Sequence, residues 1–257
     1  MIGVNSLLTT IIICTVTLSS SFPRDSERIK SFSNESTIVD SAISGLSADD
    51  VIEKYLDAIG GRKQIESIID RTTIMNGSTI GKTLRIVVQQ KTPSMLRQEI
   101  TAGTTKQTII FNGEQGVMIM GDQQSALGRN ELDKLKIEAQ MNFLLNPKEY
   151  GVHPELIGME IIDSVQCYNI RMNMEDSTNW NQFYEVESGL KIKEIKGIKT
   201  PQGIFKQESL YDDYRNVGEL KYPFKVTQTL GVQTIELNIE KIEINAGLQD
   251  VLFEIPE

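Results

Sequence analysis

The sequence predicts an α+β fold in which helices cover the concave face of a large, curved antiparallel sheet. Three observations predict it. Strand-like alternation runs from Arg71 to Ile255 in roughly ten segments. The links between the segments are short, which implies an antiparallel meander. Two stretches switch to helical spacing, one before the strands and one between them.

The first helix starts at Ser47. Ser47-Ala48-Asp49-Asp50 places an acidic residue three positions after a serine, a short version of the capping box. Val51, Ile52, Tyr55, Leu56 and Ile59 then form an apolar stripe, and Gly60-Gly61 stops the helix. Arg62 to Ile69 fits a short second helix. Strands follow over Thr83–Val88, Met95–Thr101, Thr105–Phe111 and Gln115–Met120, with Pro93 marking a turn and Asn112-Gly113 a hairpin. Asn130 to Leu145 reads as one helix ended by Asn146-Pro147. Leu132, Leu135 and Ala139 share one side of it; Ile137, Met141, Leu144 and Leu145 widen the apolar face. Strands resume over Glu155–Ile162, Val165–Met174, Trp180–Val186, Leu190–Lys196, Gly203–Tyr214, Tyr222–Leu230 and Val232–Ile244. An antiparallel sheet of this size buries one face and wets the other.

Residues 1–21 contain no Asp, Glu, Lys or Arg, and the apolar run Leu7 to Leu18 suits a signal peptide better than a membrane span. Ser19-Ser20-Ser21 offers a cleavage site before Phe22. The expected location is therefore the periplasm. The alternatives are a tether through an uncleaved leader or through a lipidated Cys14, although Ile13 stands where a small residue usually precedes a lipidated cysteine. Residues 22–46, rich in Ser, Asn and charge, read as a flexible linker, and 47–257 as one domain.

The formal net charge is −9, and no Lys/Arg-rich block stands out. Nucleic acid is excluded as an expected partner, and a polybasic membrane patch is absent. Lys191 to Lys199 is locally basic, and its lysines mostly alternate with Ile, which reads as a solvated strand face. His153 is the only histidine and sits in a loop-like segment, so no metal site and no cofactor are expected. Asp212-Asp213 fits a turn at the end of a strand better than a calcium loop. Cys167 lies in a strand-like run and reads as a buried thiol. Asn34-Glu35-Ser36 and Asn76-Gly77-Ser78 match glycosylation acceptors. Gly-rich phosphate loops and a serine nucleophile elbow are both missing, so no catalytic residue is assigned and binding is expected instead of catalysis. Most of the methionines fall in sheet or helix segments, where thioethers suit an adaptable apolar surface.

Several local motifs, taken in order, resemble the LolA/LolB-like superfamily of periplasmic lipoprotein carriers and receptors. They are more closely similar to outer-membrane lipoprotein-sorting-like proteins of Bacteroidetes type. They include Tyr55-Leu56-Asp57-Ala58-Ile59-Gly60-Gly61, Lys91-Thr92-Pro93-Ser94-Met95-Leu96-Arg97, Ile109-Ile110-Phe111-Asn112-Gly113, Asn142-Phe143-Leu144-Leu145, Asp213-Tyr214-Arg215-Asn216-Val217, Tyr222-Pro223-Phe224 and the closing Asp250-Val251-Leu252-Phe253. The resemblance implies an incomplete β-barrel whose open side is plugged by helices. It also implies a carrier or receptor that takes lipid or lipoprotein acyl chains into the apolar space between sheet and helices, with transient membrane contact. A non-catalytic envelope interaction or sensor module, docking to an envelope protein partner, is the alternative. Candidate liners are Leu84, Ile86, Leu96, Ile100, Ile109, Phe111, Met118 and Met120 from the sheet, and Leu135, Met141 and Leu144 from the inserted helix. Alternation is expected to turn some of the sheet residues outward. Carriers of this kind often have an arginine just before the proline of the strand 2–3 turn, where it helps hold the lid; here that position is Thr92, beside Lys91.

Overall fold

Ser47 opens the first helix as its capping box predicts. Its backbone N–H donates to Asp50 Oδ2 at 2.8 Å, and its hydroxyl accepts from the Asp50 N–H at 3.2 Å. The computed structural model describes residues 45–79, 82–174, 180–200 and 203–256. The expected leader, linker and Asn34 motif lie outside them. Helix α1 (Ala48–Ala58) buries Val51, Ile52, Tyr55 and Leu56, and Ile59 follows them into the core. Gly60 ends it at φ +129°, where a Cβ would lie 2.6 Å from the Glu219 carbonyl oxygen. Only glycine permits that approach, which lets the Lys221 N–H bond to the Ile59 carbonyl at 2.9 Å. Helix α2 spans Arg62–Glu66, shorter than the expected Arg62–Ile69.

Thirteen strands form one antiparallel sheet. The first six are β1 (Asp70–Thr79), β2 (Lys82–Lys91), β3 (Met95–Ala102), β4 (Thr105–Phe111), β5 (Gly116–Met120) and β6 (Gln123–Ala126). The other seven are β7 (His153–Ile162), β8 (Val165–Asn173), β9 (Trp180–Glu185), β10 (Lys191–Thr200), β11 (Gly203–Val217), β12 (Leu220–Leu230) and β13 (Gln233–Ile244). Their spatial order is β6-β5-β4-β3-β2-β1-β13-β12-β11-β10-β9-β8-β7. The first and last strands therefore pair with each other inside the sheet, and β6 and β7 are its edges. The sheet does not close, so the barrel is incomplete. Residues 127–152 join one edge to the other, and they carry helix α3 (Arg129–Glu138) and two 3₁₀ turns, Phe143–Leu145 and Pro147–Tyr150.

Several expectations are corrected. The helix predicted over Asn130–Leu145 ends at Glu138. Met141, Phe143, Leu144 and Leu145 are all buried. Four such residues in five positions would surround a continuous helix and leave one facing water. A break followed by a 3₁₀ turn buries all four. His153 is an exposed first residue of β7 and not a loop residue. Asp212-Asp213 lies within β11 and not at its end. Asp212 pairs with Lys225 and Tyr214 with Pro223 in an unshifted register, and Asp213 between them has a positive φ of +55°. Asn76 is a half-buried member of β1 whose amide donates to Glu240 Oε2 at 2.7 Å, which does not suit a glycan acceptor. At Asn112-Gly113 the turn is longer than a two-residue hairpin. The Asn112 Oδ1 accepts from the N–H groups of Glu114 and Gln115, at 3.0 and 2.8 Å. Cys167 is buried, as expected.

Candidate binding surface on the concave face

Directly paired residues of antiparallel strands point to the same face. Leu84 pairs with Ala102, Ile86 with Ile100, Val88 with Gln98 and Gln90 with Leu96. Leu96 pairs in turn with Phe111, Gln98 with Ile109 and Ile100 with Gln107. Ile109 pairs with Met118, and Gln107 with Met120. All eight sheet residues named as candidate liners therefore share one face. The expectation that alternation would turn some outward is overturned, because each turn between these strands preserves the phase. Six of the eight are buried; Met118 and Met120, near the β6 edge, are half-buried.

The structure distributes ten of the eleven candidates over three apolar groups. Leu96, Ile109, Phe111 and Met118 pack with Leu135 and Ala139 under α3. Leu84, Ile86 and Ile100 pack with Met75, Val88, Val226, Ile235, Leu237 and Ile239 in a group made of sheet residues alone. Met141 and Leu144 join α1, Ile170, Met172 and Trp180. Phe143 stacks on Trp180 there, with ring centroids 5.5 Å apart. Met120 belongs to none of the three groups.

Helix α3 is fastened at its C-terminal end by a polar contact. The Gln90 amide, fully buried, donates to the Glu138 carbonyl at 2.7 Å and accepts from Arg71 Nη2 at 2.7 Å. Arg71 lies under the Tyr222 ring, 5.6 Å from its centroid. Lys91, beside the position where carriers often have arginine, reaches elsewhere. Its ammonium donates to the Leu248 carbonyl and to Asp250 Oδ1, both at 2.6 Å, and so holds the C-terminal segment.

The other half of the concave face is polar. Lys191 and Glu194 are each about 1% exposed and lie 2.8 Å apart. Lys196 completes the group, 3.2 Å from the same carboxylate. The Gln182 amide donates to Glu194 Oε2 at 3.2 Å, and the Tyr184 hydroxyl donates to Gln182 Oε1. Lys191 stands over the Tyr211 ring and Lys196 over the Trp180 ring, at 4.6 and 4.3 Å. Burial would raise the Glu194 carboxyl, but Lys191 and Lys196 outweigh it and hold the group below its ordinary range. This corrects the reading of Lys191–Lys199 as a solvated face. The β9–β10 register shifts between Lys191 and Lys193, so Lys191 falls in phase with Glu194 and Lys196. Strict alternation hides that shift. Only the odd charge in the run, Glu194 among lysines, hints at it in the sequence.

An open concavity of about 450 Å³ adjoins α3, lined by Arg129, Leu132, Asp133 and Lys136. Among the described residues no group of three or more His, Cys, Asp or Glu is placed to hold a metal ion, and no helix is long and apolar enough to cross a membrane.

No family model and no curated protein matches the sequence. Solved structures do match. A LolA superfamily protein from Nitrosomonas europaea superposes with a TM-score of 0.57 at 16% identity, covering 82% of this chain and 98% of that one. The fold is LolA-like. Two further structures with this LolA-like arrangement are a DUF1329 family protein from Desulfovibrio piger and an outer membrane lipoprotein-sorting protein domain from Vibrio parahaemolyticus. The first has a TM-score of 0.53 at 11% identity, covering 80% of this chain and 95% of that one. The second has a TM-score of 0.52 at 11% identity, covering 79% and 100%.

Proposed function

We propose that this chain is an exported carrier or receptor that takes acyl chains of a lipid or lipoprotein between the concave sheet face and its helical cover. The observation that carries the reading is the shared face of the eight apolar sheet residues, part of it covered by Leu135 of α3, with Met141 and Leu144 packed further along in the group under α1. Burying each methylene of a chain on such a surface is worth about 0.8 kcal/mol. A gap between sheet and cover that admits even part of a chain binds it usefully. Helix α3 is the natural gate. Beyond its buried Leu135 and Ala139, the Gln90 amide ties its C-terminal end to the sheet. A solved relative in fold is named for lipoprotein sorting, which agrees with this reading.

The alternative, a docking or sensor module with no transported ligand, is favoured by the buried polar group at Lys191–Glu194, which occupies part of the concave face with protein side chains. One experiment separates the two. The chain, purified gently from its native envelope, is analysed by native mass spectrometry and its organic extract is examined for lipid. A stoichiometric lipid or acylated peptide that is lost when Leu144 is replaced by Glu is the expected result. A clean protein that also fails to take up a fluorescent fatty acid overturns the carrier reading and leaves the docking module.

A further inference from the structure

The concave face has two chemically distinct halves that meet. On β2 to β5 it is apolar, apart from Gln90, Gln98 and Gln107 and from Lys82 and Thr105 at the strand starts. Across β9 to β12 a polar row crosses it. Gln228 pairs with Ser209, Ser209 with Glu194, and Glu194 with Gln182, all of them buried. Lys196 lies on the same face one alternation further along β10 and is the most exposed of the charged group, at 14%. Tyr211 joins the halves. Its ring belongs to the apolar group of Ile86 and Val226, and its face carries the Lys191 ammonium.

The charge count on the polar half does not close. Two ammonium groups converge on one carboxylate. The other buried carboxylate among the described residues, Asp70, neighbours Arg71 in β1 and accepts from the N–H groups of Ala246, Gly247 and Leu248. General basicity is not the reason for the excess, because the whole chain carries −9. Excess charge out of water is costly unless an opposite charge meets it, and a charge-assisted bond to an anion is among the strongest available.

We propose that this patch is a headgroup site. The bound molecule is an amphiphile whose acidic headgroup, a carboxylate or a phosphate, lies against Lys196, the partly exposed end of the charged group, and whose chain continues past Tyr211 onto the apolar half. The proposal rests on the acyl-chain reading above and adds the class of ligand. Neutral lipids of equal chain length lack the group that the patch is charged to meet.

The test uses the full chain after delipidation. A fluorescent polyene fatty acid and its methyl ester are titrated side by side. Lysophosphatidic acid, the monoacylglycerol of the same chain and inorganic phosphate serve as competitors. The acid is expected to bind at least about tenfold more tightly than the ester, with lysophosphatidic acid outcompeting monoacylglycerol by a similar factor. Whichever of the acid and lysophosphatidic acid binds more tightly identifies a carboxylate or a phosphate as the natural headgroup. Lys196→Met is expected to erase the preference of acid over ester. Equal affinity for acid and ester overturns the headgroup site and leaves the chain-binding reading standing. Failure of both probes to bind overturns both. Inorganic phosphate competing as well as lysophosphatidic acid overturns the amphiphile in favour of a simple ion site. The wild-type comparison decides the matter even if a variant fails to fold.

Discussion

Replacing Gln90 by Glu releases α3 without dismantling the sheet. The substitution keeps the size of the side chain and its acceptor for Arg71 Nη2, and it strengthens that bond by adding charge. It deletes the donor that meets the Glu138 carbonyl at 2.7 Å and sets a carboxylate oxygen against that carbonyl instead. Loss of a buried bond with its acceptor left facing like charge costs about 2 kcal/mol, a factor of roughly 30 in the local opening equilibrium. Hydrogen exchange resolves where that cost falls. The amides of α3 are expected to exchange roughly 30-fold faster, while those of β1 and β2 keep their protection, and uptake of a fluorescent fatty acid accelerates with them. If α3 protection is unchanged, or if β1 and β2 lose protection equally, Gln90 is not the fastening of α3 and the gate argument fails.

Three further outcomes are expected. Glu194→Gln removes the carboxylate that meets the buried Lys191 and the half-buried Lys196 and is expected to cost about 3–5 kcal/mol in denaturant unfolding. Glu240→Gln, which breaks the exposed pair with Arg85, leaves the midpoint in place. The Glu194 carboxyl is held below its ordinary range, so its contribution to stability is complete above the ordinary carboxylate pKa and is lost as pH falls through the lowered value. The acid limb of a stability–pH profile is expected to flatten in Glu194→Gln, and an unchanged limb contradicts the assignment. Phe143→Ala opens a hole beside Trp180 at a fully buried position and is expected to destabilise by about 3–5 kcal/mol, read from thermal unfolding with protection lost first in α1. Burial, helped by Glu185 and Glu160, pushes the Cys167 thiol up to about 11. The folded state therefore holds this proton longer than the unfolded chain does. Stability is expected to decline between about pH 9 and 11, and alkylation at pH 8 to proceed only through unfolding. Rapid labelling of the native protein contradicts this.

The sheet was legible in the sequence wherever alternation was unbroken. The phase of β2 to β5 follows from turns that keep it, and the eight sheet residues named as liners on the family resemblance all reach one face. Helix α1 was legible because its cap, stripe and glycine stop agree. The pattern failed at two kinds of place. Residues Met141 to Leu145 are apolar throughout, so spacing does not distinguish a helix from a 3₁₀ turn folded into a crevice. Lys191 to Lys196 fails for a different reason. A bulge shifts the phase by one residue, and everything beyond it is assigned to the wrong side. The polar half of the concave face was therefore missed, and Gln90 and Arg71 were passed over because polar residues in strands are expected to face water.

The pairing of β1 with β13 has a kinetic consequence. Each half of the sheet, β1 to β6 and β7 to β13, is a meander whose neighbours are adjacent in sequence, so each forms by short loop closures. The seam between them joins the two ends of the domain. Asn245 accepts from the Ile69 N–H across 176 residues of chain. Closing so long a loop is entropically expensive and slow. Two half-sheets with open edges are therefore expected to form before the native state, with the middle of the finished sheet made last. A chain that loses its final strand does not lose an edge. It loses the seam, and the two halves it leaves each expose a strand ready to pair with a neighbour.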